Sequence, residues 1–194
     1  MRSKDIDPDF VKSVHAFYDH LHSESERGSA IVGAALIDDA LEELLKTFMV
    51  KSLEKEDELF NGSFAPLATL SAKITLSYRL GLISPKVHSS LTLVRKLRND
   101  FAHVSRQITF ETQSVHSRVR DLFNLNDHLL DLIWDLTKDY VDDVTTENTA
   151  KNGLDNLVMH IGWKSTYDIL ISIVAATLCE KKRNIPGIVS SHRD

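Results

Sequence analysis

The sequence is poor in the residues that break or staple a chain: one cysteine, four prolines and seven glycines among 194 residues. A lone cysteine, Cys179, excludes an internal disulfide and suits a reducing compartment. So few Pro and Gly leave little material for turns, and long helices are expected. No apolar run is long enough for a membrane span. The longest, Ile169–Cys179, is broken by Ser172 and Thr177 and falls far short of the roughly 20 residues a bilayer requires. The first ten residues, MRSKDIDPDF, hold no apolar signal region. Basic charge is not in excess either. The net charge is −5 and the pI near 6.0, whereas a dedicated nucleic-acid-binding domain has a pI above about 9. These absences together point to a cytoplasmic protein that does not read DNA directly.

What is present is an ordinary globular composition, 42% hydrophobic and 26% charged, enough to bury a core without metal or disulfide. The length suits one domain, read here as residues 1–194. Helical periodicity runs through nearly all of it, and the fold class expected is an all-α multi-helix bundle with no strand. Asp7-Pro8 opens a first helix through about Leu21. Ser23 or Ser25 caps a second to about Ser52, with Ala30, Ala34, Ile37, Leu41, Leu44, Leu45 and Phe48 on one stripe. Pro66 starts a third, with Leu67, Leu70, Ile74 and Tyr78 inward, and Gly81 ends it. Ser84-Pro85 starts a fourth that carries Val87, Leu91, Val94, Leu97 and Phe101. Thr109 or Thr112 caps a fifth to about Phe123, and Asn126 or Asp127 a sixth to about Val141. Thr145–Asn152 is polar, a loop or a helix start. A last helix runs from Leu154 to Lys182, with Gly162 as a kink, so the C-terminal helical region spans about 109–183. Tyr167–Cys179 is apolar nearly all round. Two placements suit such a helix, the centre of the core or a dimer interface. On the second placement the chain is a homodimer or a higher oligomer.

Two charges fall inside apolar stripes on a helical wheel. Asp38 lies between Leu45 and Ile31 on the second helix, while Asp39 and Glu43 face solvent. Arg98 lies between Val87 and Leu91 on the fourth. A buried charge costs several kcal/mol without a partner, and a guanidinium suits a carboxylate. The expectation is a buried structural ion pair, Asp38–Arg98.

The fourth helix ends Leu97-Arg98-Asn99-Asp100-Phe101-Ala102-His103. Arg, a polar residue, three more residues and His resemble the RX4–6H motif of the HEPN superfamily, helical proteins that include metal-independent ribonucleases. That resemblance implies a catalytic pair Arg98 and His103 with Asn99 as polar helper, and RNA as substrate or ligand. Five residues turn a continuous helix by about 140°, so the two side chains face different ways unless the helix ends near Phe101. A His at a helix C-terminus also has an electrostatic role of its own.

A longer resemblance runs from Arg27-Gly28 to His103. It rests on Ala34-Ala35-Leu36-Ile37-Asp38-Asp39-Ala40-Leu41-Glu42-Glu43-Leu44-Leu45, then Leu59-Phe60-Asn61-Gly62, then Ala65-Pro66-Leu67-Ala68-Thr69-Leu70-Ser71-Ala72-Lys73-Ile74. Tyr78-Arg79-Leu80-Gly81-Leu82-Ile83 and the Leu97–His103 segment complete it. In these pieces the chain resembles the mannitol operon repressor (MltR/MtlR-type) family. The resemblance implies an all-helical transcriptional regulator, without a helix-turn-helix, that acts through protein partners and self-associates. On that reading the chain is not an enzyme; the ribonuclease is the alternative.

No metal or cofactor is expected. His15, His20 and His22 on the first helix do not face one way, and no Cys-x-x-Cys, His-Glu-x-x-His, Walker A, Gly-x-Gly-x-x-Gly or Gly-x-Ser-x-Gly motif occurs. Lys181-Lys182-Arg183 reads as a helix-end and solubility run, and Cys179 as a small buried hydrophobe. Arg95, Lys96, Arg118 and Arg120 offer a local basic patch on which RNA could settle.

Overall fold

The computed structural model describes residues 6–62, 64–103, 108–137 and 153–189. Among them are seven α-helices and no strand: α1 (Pro8–His22), α2 (Glu26–Phe48), α3 (Leu70–Arg79), α4 (Pro85–Ala102), α5 (Gln113–Leu125), α6 (Leu130–Thr137) and α7 (Gly153–Asn184). A single 3-10 turn, Asp127–Leu129, leads into α6. The all-α architecture expected from the periodicity is the one found.

Local chemistry sets most boundaries. The side chain of Asp7 accepts from Asp9 N–H at 3.0 Å, with Pro8 in the first helical turn. Ser25, not Ser23, caps α2, accepting from Gly28 N–H at 3.0 Å. Ser84 caps α4 through Val87 N–H. At the end of α3, Gly81 N–H donates to Tyr78 O and Leu82 N–H to Ser77 O, at 3.0 and 2.8 Å. That Schellman pattern needs the positive φ of 72° at Gly81.

Two expected boundaries move, and a third is narrowed to one of its two candidates. α2 stops at Phe48 rather than Ser52, because the C-terminal strap closes it: Ile188 N–H donates to Phe48 O at 2.7 Å. A helix end leaves its last carbonyls without partners, and here a distant segment supplies one. α3 starts after Thr69, whose hydroxyl accepts from Ala72 N–H at 3.2 Å; Pro66 instead lies in the turn before it. Its inner face is Lys73, Ile74 and Ser77, while Tyr78 is exposed and packs on the His88 ring. α5 begins after Thr112, which makes no side-chain cap. The expected end of the sixth helix at Val141 and the Thr145–Asn152 segment lie outside the described residues.

α2 lies between two layers, with α3 and α4 on one side and α1 and α7 on the other. α5 bridges α4 to α7, and α6 packs on α7. At Gly162 the backbone adopts φ 77° and ψ 166°, which breaks α7 into two helical runs. The second run is the core helix: every residue from Thr166 to Ala176 is buried. Its apolar surface is therefore covered by the chain's own helices, and the second placement, a dimer interface along Tyr167–Cys179, loses its basis. α2 approaches α7 closely at Gly33, where a β-carbon would stand 3.2 Å from Ile171 Cγ2.

A carboxylate sits on this core helix. Asp168 is fully buried. Its carboxylate accepts from Ser29 Oγ and from Lys164 Nζ at 2.7 Å. Lys164 spends its other protons on Leu21 O and His22 O, at 3.1 and 3.2 Å. One ammonium thus closes the C-terminus of α1 and neutralises a carboxylate on α7. Burial pushes the Asp168 carboxyl above its ordinary value, against the opposing hydrogen bonds from Lys164 and Ser29.

Candidate functional site

Where α2, α3 and α4 meet, the side chains are small. Ala34 and Ala35 on α2 and Ala68 before α3 leave an open groove of about 530 Å³. Arg95, Arg98 and Asn99 of α4 form one wall, Asp38 lies in the α2 wall, and α3 begins at its edge with Thr69–Ser71. Arg98 is exposed and hydrogen-bonds Asn99 Oδ1 at 3.2 Å.

The expected Asp38–Arg98 ion pair is not formed. Asp38 takes Lys73 instead, with Nζ 2.9 Å from Oδ2. Lys73 also reaches Glu42 Oε2 at 2.6 Å, and Lys46 holds the other Glu42 oxygen at 2.6 Å. Lys73 is 4% exposed, so it is the buried cation of this region. Burial alone would lower its pKa, but hydrogen bonds to Glu42 and Asp38 outweigh that and hold it above its usual value. Burial likewise opposes ionisation of Glu42, and the Lys46 and Lys73 contacts overcome it and hold its carboxyl low. The physical reason for the misplacement is axial. A wheel projects Arg98 beside Leu91, yet Arg98 lies two turns further along the helix, where the covering layer gives way to the groove. Asp39 and Glu43 do face solvent, as the wheel places them.

With Asp38 committed to Lys73, the groove presents two guanidinium groups, Arg95 and Arg98, above an apolar floor. Such a surface suits a carboxylate or phosphate carried on an otherwise apolar partner.

His103 is elsewhere. α4 stays helical through Ala102, and His103 is its exposed C-cap, with a carbonyl that accepts from Arg27 Nη2 at 3.3 Å. It does not line the groove that Arg98 lines. The placement therefore brings Arg98 and Asn99 together but not His103, and the RX4–6H resemblance gains no support from it. Of the basic patch, Arg118 pairs with Asp100 and Arg120 with Asp155, so only Arg95 joins the groove. In the Lys181-Lys182-Arg183 run, Lys182 pairs with Glu43 at 3.1 Å. Cys179 is half-buried. Among the described residues, no three His, Cys, Asp or Glu side chains are grouped as a metal ion would need.

Three charged residues are not singled out by the sequence reading. Lys73 falls beside Ser77 on a wheel, at the edge of the Leu70, Ile74 and Ser77 stripe. Lys164 and Asp168 are opposite charges four residues apart at the start of the apolar run, the one local sign that Asp168 is held.

The fold, an all-helical bundle, is already seen in a solved structure. The X-ray structure of the MtlR–HPr complex from Escherichia coli holds a chain that aligns with a TM-score of 0.54 at 17% identity, over 90% of this chain and 98% of that one. At that identity the likeness establishes the fold. No family model matches the sequence, and no curated protein matches it.

Proposed function

We propose that this chain is an MltR-type transcriptional regulator that acts through a protein partner and not by reading DNA itself, and that the Arg95–Arg98 groove is its docking surface. The observation that carries the reading is the alignment over nearly the full length of both chains with a structure of MtlR bound to HPr. The Arg27–His103 resemblance points to the same family. An HPr-type protein is the partner this reading names, and the cytoplasm is where it acts. Net charge of −5 gives a nucleic-acid backbone no general attraction. Self-association belongs to the family reading and no longer draws on α7.

Titration calorimetry with purified HPr tests this reading. Wild type should bind, and the double variant Arg95→Glu/Arg98→Glu should bind at least about tenfold more weakly. Failure of wild type to bind HPr overturns the partner. Equal affinity of the double variant overturns the groove.

A further inference from the structure

At the other end of α4 lies a second, smaller pocket, about 180 Å³, enclosed by the α3–α4 link, the start of α4, the end of α5 and the last turns of α7. Its walls are apolar: Leu82, Ile83, Val87, Leu129, Val174 and Leu178. Its polar lining includes Ser90 and Asn126, 1% and 5% exposed.

The hydrogen bonding of Asn126 is incomplete in a specific way. Its Nδ2 donates to Ser90 Oγ at 2.9 Å and to Leu122 O at 2.7 Å. A backbone carbonyl only accepts, so the amide cannot be turned round. Ser90 spends its own proton on Lys86 O at 3.0 Å. No donor among the described residues reaches Asn126 Oδ1. That oxygen is not sealed from solvent, and with Asn126 lining the pocket a ligand hydroxyl or N–H can donate to it.

The rim adds charge. Lys181 and His128 line the pocket, and no carboxylate does. Lys181 has no ion pair among the described residues, whereas neighbouring Asp127 is engaged by Lys86 at 3.7 Å. Apolar walls, an amide acceptor and a lining lysine without an ion pair among the described residues define an amphipathic anion. A cavity of about 150 Å³ holds benzene, so the occupant has about six to eight carbons. We propose that this pocket binds a hydroxylated medium-chain monocarboxylate: the chain packs on the walls, the hydroxyl donates to Asn126 Oδ1, and the carboxylate meets Lys181.

The test uses 3-hydroxyoctanoate, octanoate and 1,3-octanediol as probes, with affinity and stoichiometry read by heteronuclear NMR titration of the full chain. The hydroxy acid should bind one per chain and shift the resonances of Ser90, Asn126 and Val174. Octanoate and the diol should each bind about fivefold more weakly, the first for want of the donor and the second for want of the charge. Lys181→Gln should erase the preference for acid over diol. Thr177→Phe, at the exposed rim, should block all three while leaving the circular-dichroism spectrum unchanged. Absence of saturable binding by the hydroxy acid, equal affinity for the diol, or undiminished binding by a folded Thr177→Phe variant would overturn the proposal. None of these outcomes depends on HPr binding.

Discussion

The ammonium of Lys73 lies 2.9 Å from Asp38 and 2.6 Å from Glu42, so one buried cation on α3 ties two carboxylates of α2. Removing it leaves Asp38 without its cation and Glu42 with Lys46 alone. Lys73→Ala should cost about 3 kcal/mol. Arg98→Ala, at an exposed site, should stay within about 0.5 kcal/mol. Chemical denaturation of both variants makes the comparison, and a larger loss for Arg98→Ala would refute the pairing.

The same network makes stability depend on pH at both ends of the range. Glu42 has a lower pKa in the folded chain than its ordinary 4.5. Its contribution is therefore complete above that value and is lost as pH falls through the folded value. Lys73 is raised above 10.5, so its contribution is complete below that pH and lost as pH rises through the folded value. The stability gap between wild type and Glu42→Gln should be flat near neutrality and shrink in acid. Urea midpoints across the acid range that show a constant gap would contradict this.

Asp168 joins three helices, since it accepts from Ser29 on α2 while Lys164 also closes α1. Asp168→Ala should cost about 3–5 kcal/mol, because a half-buried ammonium and a buried hydroxyl lose their acceptor together. Ser29→Ala should cost about 1 kcal/mol. Thermal melts of the two variants should keep that order.

Gly33 permits a close approach of α2 to α7. Gly33→Val places methyl groups where a β-carbon alone already stands 3.2 Å from Ile171 and 3.4 Å from the Tyr167 hydroxyl. Overpacking there should destabilise the chain by about 1–3 kcal/mol. A melting temperature at or above that of wild type would show that the two helices separate freely.

On a mixed single-stranded RNA without added metal, we expect no turnover, or turnover that is the same in His103→Ala. Acid–base catalysis needs its groups to converge on one reacting atom. Arg98 lines the groove and His103 caps the helix beyond it. Cleavage by wild type that vanishes in His103→Ala would establish the ribonuclease alternative.

Much of this protein was legible in local sequence. Caps such as Asp7, Ser25 and Ser84, the stop at Gly81 and the kink at Gly162 depend on residues within a turn or two, so a linear reading reaches them. The apolar stripes of α2 and α4 are equally local. The groove residues Asp38 and Arg98 stand out by their place on those stripes, although for an ion pair that does not form, and Asn99 only through the RX4–6H resemblance. Lys73 escapes a linear reading because Asp38 sits 35 residues away, and Asp168 because Ser29 sits 139 residues away, although Lys164 is four residues before it.

The sequence by itself determined that the chain is helical, roughly where each helix begins and which face of most is apolar. These properties follow from hydrogen bonds and periodicity within single segments. Only the tertiary structure decided which charges meet, that α7 is wrapped by its own chain, and that α2 ends where Ile188 reaches Phe48. Burial is set by what packs against a residue at its own height along the helix. A wheel discards that coordinate, and so Leu91 is covered while Arg98, two turns beyond it, stands in an open groove.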